Sequence, residues 1–353
     1  MRRRSIIKNN QLKPLKAREK SDIINLKVQF VLIKITVKKG FYIMKISVSV
    51  TMKTLEALGG IDEGFRALKE AGFEAIEYAF ETTDISWEDM RAGKPSRLYV
   101  DDIFRPQAQA IKEAAEKYGI AIDQCHAPMP TYISGCPEGN VLLKKYTEKA
   151  IEFCGYCGVK NVIVHPCFDG SYRYPKLTRA DELALNIEFY SSLIPILQKN
   201  NVVCCLENMF TQDWKSKKIF LACCSDMRDS VYYIDELNRI AGEERFGFCL
   251  DIGHLLLLGL DSKNAMETLG SRLKALHIHD NDGVNDLHIA SYLGLTNWDR
   301  FLGGLRLAGY EGNLNFETGG SHAQVPKELL PSMLRLIADT GNYFRNRLQT
   351  EQK

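Results

Sequence analysis

The sequence predicts an α/β chain folded as a single (β/α)8 barrel and preceded by a basic extension. Three observations predict it. From Met44 onward, eight strand-like runs alternate with helix-like segments. The later runs are short and continuously apolar, as parallel strands buried on both faces require. And His, Asp or Glu recurs where the runs end, which is where barrel strands deliver side chains to a common rim.

The predicted strands are Ile46–Val50, Ala75–Phe80, Ile120–Cys125, Asn161–His165, Val202–Glu207, Phe246–Asp251, Ala275–His279 and Gly312–Glu317. Helical periodicity occupies the gaps. Phe65 and Leu68 mark one face of a helix that Gly72 ends, and Leu142, Tyr146, Phe153 and Cys157 mark another that Gly158 ends. Thr178 and Asp181 resemble a capping box opening a helix that runs through Lys199, with a kink expected at Pro195. Residues 225–240 and 297–308 follow the same pattern, and the last helix is expected from Pro326 to Phe344. Long βα loops follow strand two (81–105), strand four (167–177) and strand five (209–224). A doubly wound open sheet is disfavoured. No Gly-rich phosphate turn follows an early strand, and the polar strand ends are spread over six strands, not gathered at one switch point.

Residues 1–43 read differently. They carry twelve Lys/Arg against two Asp/Glu, a net +10, whereas the remainder is −8 within a chain total of +2. Their apolar stretch, VQFVLIKITV, is interrupted by Lys34 and is too short to span a bilayer. No clean secretory signal is present. The expectation is an upstream extension outside the fold, explained by a misplaced start codon, with the barrel occupying residues 44–350. The alternative is a basic targeting or membrane-surface arm. The acidic body argues against a nucleic-acid partner, which needs a basic footprint. Ten cysteines without a regular framework imply reduced, buried thiols and a cytoplasmic protein with no membrane partner. The CxxC at Cys154 and Cys157 lies in a helical pattern and is read as core packing.

Glu207, Asp251, His277 and Glu317 end four successive predicted strands. Two Glu, one Asp and one His form a mostly oxygen donor set suited to a divalent cation, with Mn²⁺ the first choice and Mg²⁺, Co²⁺ or Zn²⁺ alternatives. Single strand-end residues are commonly structural; four in succession at matching places point to ligation. His254, three residues after Asp251, is expected behind the ligands or at a second metal. His279 is expected to point away from the site. Asp286 and His288 lie on a loop able to reach back to it. Glu77 is read either as a contact to a distal hydroxyl or as a surface carboxylate. Tyr132 and Trp214 are read either as sugar-stacking rings or as core.

The strand-end motifs HAP, VHP, LEN, LDIGH, LHIHDND with NDLH, and NFET resemble those of the xylose-isomerase-like TIM-barrel superfamily, in particular its sugar phosphate isomerase/epimerase branch, to which endonuclease IV is related. The resemblance covers Met44 to Ile337 and is most specific in HIHDNDGVNDLH and NWDRFLGGLRLAGYEGNLNFET. It implies a single-metal site of Glu207, Asp251, His277 and Glu317, with His126, His165 and His254 alongside. It equally allows the trinuclear zinc pattern of endonuclease IV to be laid on His126, His165, Glu207, Asp251, His254, His277, Asp286, His288 and Glu317. The loop HIASYLGLTNWDRF departs from the glycine-rich form common in the sugar branch, which bears on the substrate pocket more than on the metal.

The function implied is a divalent-metal-dependent isomerase or epimerase of a small sugar, sugar phosphate or cyclitol. Glu207 and Glu317 would move a proton at the carbon beside a carbonyl, through a metal-stabilised enediolate. His126, His165, His254, Asp286 and His288 would bind substrate or orient ligands. The alternatives are an endonuclease IV-like zinc-dependent abasic-site nuclease and a non-catalytic barrel binding sugar or metal. No cluster of Lys and Arg at the strand ends demands a phosphate, and a homo-oligomer is compatible with this reading.

Overall fold

Eight parallel strands form one sheet in the order β10-β1-β2-β3-β4-β5-β8-β9. They are β1 (Ile46–Val50), β2 (Ala75–Ala79), β3 (Ala121–His126), β4 (Asn161–Ile163), β5 (Val203–Glu207), β8 (Phe246–Asp251), β9 (Leu273–His277) and β10 (Leu314–Phe316). Just beyond β9, Ile278 bridges Phe316 of β10 in parallel, so the sheet closes on itself. The structure, a computed structural model, describes residues 44–350 apart from 83, 169–176 and 214. The extension expected over residues 1–43 lies outside the described residues. Among the described residues no helix is long and apolar enough to cross a membrane.

Alternation along each strand separates two interiors. Val48, Ile76, Tyr78, Cys125, Val162, Leu206, Phe248, Leu250, Leu276 and Phe316 join the large apolar cluster between sheet and helices. Ile163, Cys205, Cys249 and Ala275 form a small separate cluster inside the barrel. The opposite inner wall is polar. Ser47 donates to Asn315 Oδ1 (2.9 Å) and Gln124 donates to Glu77 Oε2 (2.6 Å), all four buried. The barrel floor is thus apolar under β4, β5, β8 and β9 and hydrogen-bonded under β10, β1, β2 and β3.

Two β-bulges re-aim the strands that feed the rim. Ile76 pairs with Ile122 and Glu77 with Gln124, leaving Asp123 as an extra residue in β3. Phe248 pairs with Leu273 and Cys249 with Ala275, leaving Lys274 extra in β9. Ile122 and Leu273 therefore pack outward while Gln124 and Ala275, two residues on, turn inward. Each bulge sets the parity that carries His126 and His277 to the inside.

The helices follow their local signals with informative departures. Gly158 ends Pro137–Cys157 at φ 74, a left-handed conformation that glycine adopts without strain. The predicted kink at Pro195 is a full break, giving Arg179–Ser191 and Ile194–Asn200 with Pro195 in the first turn of the second. The capping box at Thr178 is half formed. Its oxygen accepts from Asp181 N (3.2 Å), but the short Asp181 carboxylate takes the Thr178 hydroxyl (2.7 Å) instead of reaching back to the backbone. The stretch read as a loop after strand two holds the helix Trp87–Arg91, a 3-10 turn at Arg97–Tyr99 and the start of the helix Asp101–Tyr118, whose internal Pro106 obscures the pattern. The last helix begins at Leu330, after a 3-10 turn, and continues to Thr350. The loop after β5 carries an antiparallel hairpin, β6 (Phe210–Gln212) with β7 (Ile219–Leu221).

Candidate metal centre

The ends of β3, β5, β8 and β9, and the residues just past β4 and β10, bring one acidic and imidazole cluster together. Glu207 ends β5 and is 1% exposed. Its Oε1 lies 3.1 Å from His277 Nδ1, and its Oε2 lies 3.2 Å from His165 Nε2 and 3.5 Å from His126 Nε2. Glu317 Oε2 approaches the same His277 Nδ1 at 3.2 Å, and Asp251 Oδ2 lies 3.8 Å from it. His254 Nδ1 sits 3.7 Å from Glu207 Oε1, and its Nε2 sits 3.5 Å from Asp286 Oδ2. His288 Nε2 lies 3.0 Å from that same Asp286 oxygen. Every residue anticipated for the site, His126, His165, Glu207, Asp251, His254, His277, Asp286, His288 and Glu317, lies in this one cluster.

Local structure holds each side chain. Asp251 ends β8 and caps the helix Ile252–Leu257, its Oδ1 accepting from His254 N at 2.7 Å. Asn208 stitches the ends of β5 and β8 by donating to Asp251 O (2.9 Å) and accepting from Asp251 N (2.8 Å). Its own carbonyl accepts from His254 Nδ1 at 2.7 Å. The base of the hairpin is bolted by Ser225 Oγ donating to Met209 O (2.6 Å), and the Phe210 ring stands edge-on to His254 at 5.0 Å. Gln212 ties the hairpin to the loop after β9 by donating to Val284 O (2.6 Å). In that loop the buried Asp280 carboxylate accepts from the backbone of Tyr292, Gly294 and Thr296. His288 is held at φ 46, unusual for a residue with a side chain. Its Nδ1 donates to Glu317 O (3.2 Å) and its ring stacks on His279 at 4.0 Å.

Two expectations are corrected. His279 does not point away. Residues two apart on an extended chain face the same side, so His279 turns inward with His277, and its Nε2 lies 3.0 and 3.1 Å from the two oxygens of Asp251. The helix start at Gly253 makes room for it: a Cβ there would fall 1.9 Å from His279 Cε1. Glu77 is not a surface carboxylate. It is fully buried inside the barrel, 3.0 Å from His277 Nε2. Strand parity identifies His279 in the sequence; nothing local tells which groups Glu77, Asn208 and Asp280 meet. Tyr132 is half-buried, and Trp214 lies outside the described residues, as do 169–176 of the loop after β4.

Burial disfavours an ionised Glu207, but His277, His165 and His126 around it hold its carboxyl well below the usual range. Burial likewise opposes charge on His254, yet Asp251, Asp286 and Glu207 push it up to about 10. His288, buried beside Glu317 and Asp286, is also pushed up to about 10. His165 moves down, because burial outweighs Glu207 and the neighbouring His126 and His254 repel a second charge. The imidazoles of His254 and His288 thus stand as counter-charges to the carboxylates beside them. The residues fit a divalent cation. Asp251, His277 and Glu317, and equally Glu207, Asp251 and His254, each offer three ligand atoms within 4.8 Å of one another. Glu207 Oε2 is buried without a well-formed hydrogen bond, the state of an atom suited to a metal. A second group, His254, Asp286 and His288, brings three ligand atoms equally close together.

Known proteins resemble the chain as follows. Residues 65–339 match the family described as xylose isomerase-like TIM barrels. Among curated proteins, y4fM of Sinorhizobium fredii (strain NBRC 101917 / NGR234) is 39% identical over 72 residues. That stretch is 20% of this chain and 23% of the relative, so the match spans about a quarter of that protein's length. Among solved structures, a D-tagatose 3-epimerase-like protein is 18% identical with a TM-score of 0.59, over 84% of this chain and 99% of that one. The 3-keto-D-glucoside 4-epimerase YcjR of E. coli is 17% identical with a TM-score of 0.62, over the same shares. A D-psicose 3-epimerase from Clostridium cellulolyticum H10 is 15% identical with a TM-score of 0.60, over 86% and 99%. At these identities the likeness to the solved structures is one of fold.

Proposed function

Because the chain belongs to the xylose isomerase-like TIM-barrel family, we propose that it is a divalent-metal-dependent isomerase or epimerase of a small sugar, sugar phosphate or cyclitol. One observation carries the reading. Two glutamates from separate strands, Glu207 and Glu317, approach the same nitrogen of His277 at 3.1 and 3.2 Å. Two carboxylates converging on one ligand nitrogen would stand beside a single cation, where proton transfer at the carbon next to a metal-bound carbonyl needs its acid and base. A cation held by Glu207, Asp251, His277 and Glu317, Mn²⁺ by preference for a mostly oxygen set, would supply Lewis-acid stabilisation of charge developing on substrate oxygen. Glu207 is buried and Glu317 is partly open to the mouth, so one is shielded from water while the other meets solvent. In an epimerisation one would remove the proton and the other return it. His126 and His254 have Nδ1 committed to backbone carbonyls and turn Nε2 to the cluster, where substrate hydroxyls would be met. His165, Asp286 and His288 would complete the pocket wall.

The test is hydrogen exchange at carbon. With metal-loaded protein in D₂O, candidate ketoses should acquire deuterium next to the carbonyl. Glu207→Gln and Glu317→Gln should each abolish this. Exchange that persists in both variants sinks the assignment of the two glutamates. The second ligand group of His254, Asp286 and His288 supports one other reading, a multinuclear zinc nuclease acting at abasic sites. The −8 charge of residues 44–353 weighs against it. Three zinc ions per chain with cleavage of abasic duplex DNA, and no exchange with any sugar, would put the nuclease first. Metal or sugar binding without either activity would leave a non-catalytic barrel.

A further inference from the structure

Four histidines of the rim are held from behind in two different ways. Nδ1 of His126 lies 2.7 Å from Ala127 O, that of His254 lies 2.7 Å from Asn208 O, and that of His288 lies 3.2 Å from Glu317 O. A carbonyl oxygen only accepts, so in each case Nδ1 carries the proton and Nε2 faces the cluster. His277 is inverted. Its Nδ1 faces Glu207 and Glu317, and its Nε2 lies 3.0 Å from Glu77 Oε2. A carboxylate, not a carbonyl, stands behind this imidazole.

Glu77 is poorly explained as a structural residue. It lies inside the barrel at 0% exposure. Gln124 donates to its Oε2 at 2.6 Å, while its Oε1 is buried without a hydrogen-bond partner. An ionised carboxylate left half satisfied in such a place costs stability. It sits on β2, 200 positions from His277, and its ionic partner there is that ring.

We propose that Glu77 is a positioning residue. In the metal-loaded site its carboxylate accepts the Nε2–H of His277, which leaves Nδ1, the nitrogen facing Glu207 and Glu317, bare and strengthens it as a donor to a divalent cation. The inference rests on the metal reading above and deepens it. In the other tautomer a hydrogen would stand on Nδ1 and the site would lose its imidazole ligand. A neutral carbonyl also selects a tautomer. Only a carboxylate adds negative charge behind the ring, and outer partners of this kind change metal affinity by about 10–100-fold.

The experiment titrates Mn²⁺ and Co²⁺ into the metal-stripped full chain by calorimetry, for the native protein, Glu77→Gln and Glu77→Met. Histidine ¹⁵N spectra of the native protein accompany it. Gln keeps an oxygen acceptor without the charge, whereas Met keeps the bulk without either. Affinity should fall about 10-fold in Glu77→Gln and towards about 100-fold in Glu77→Met, and His277 of the metal-loaded native protein should carry its proton on Nε2. Affinities in both variants within two-fold of native, or a His277 proton on Nδ1, overturn the proposal. If Glu77→Met does not fold, Glu77→Gln and the native tautomer decide, and a purely structural Glu77 would leave the cation affinity of Glu77→Gln at the native value. A native chain that binds neither cation defeats the metal reading itself. That result is distinct from a native chain that binds and variants that match it.

Discussion

Asp123 offers a quantitative test remote from the chemistry. It is the extra residue of the β3 bulge, near the end of the barrel away from the metal cluster, and it is half-buried. Burial pushes its carboxyl up to about 6, against an ordinary 3.8, although Asn313 donates to it and the nearby Lys45 favours its charge. A raised carboxyl means that the folded state binds the proton more tightly than the unfolded chain does. Below about pH 4 both states are protonated and the residue contributes nothing. Between about 4 and 6 the unfolded chain ionises first, so stability falls as pH rises, and above about 6 the whole penalty is present. Two units at about 1.4 kcal/mol each come to about 3 kcal/mol, reduced to about 2 kcal/mol by screening at a half-buried site. Asp123→Asn removes the charge and keeps an oxygen for Asn313. Urea unfolding from pH 4 to pH 8 should therefore show the variant matching the native protein at pH 4 and exceeding it by about 2 kcal/mol at pH 7. A stability difference that stays flat across that range, or that grows towards acid, would refute the argument from burial.

Further outcomes follow from the same geometry. Gly253→Ala would drive a methyl group into the His279 ring. Overpacking of about 1–3 kcal/mol and a lost charge-assisted bond to Asp251 of about 2 kcal/mol, less about 1 kcal/mol of helix propensity, predict a net loss of about 2–4 kcal/mol. Calorimetry should record Tm lowered by about 3–7 °C, and an unchanged Tm would mean that His279 is free to move. Metal removal should also destabilise. With free cation at about 100 times its Kd, binding contributes about 3 kcal/mol, so chelation should lower Tm by about 5 °C. Identical melting with and without chelator would exclude a tight cation site in the folded barrel.

The sequence by itself determined the barrel and most of its rim. Strands buried on both faces read as apolar runs, and His126, Glu207, Asp251, His277 and Glu317 stand at or next to the ends of those runs. Linear order is enough there, because every parallel strand of a barrel points its end at the same mouth. Helix breaks at Pro195 and Gly158 were equally local, set by a missing N–H and a left-handed φ. Tertiary structure alone decided what stands behind the rim. Glu77 meets His277 across the barrel, and nothing near either residue in the chain signals the other. The bulges at Asp123 and Lys274 shift strand parity through pairing with a neighbour, so which face a residue takes depends on a strand elsewhere in the sequence. Which residues reach the mouth is a property of each strand; how their protons and charges are held is a property of the closed sheet.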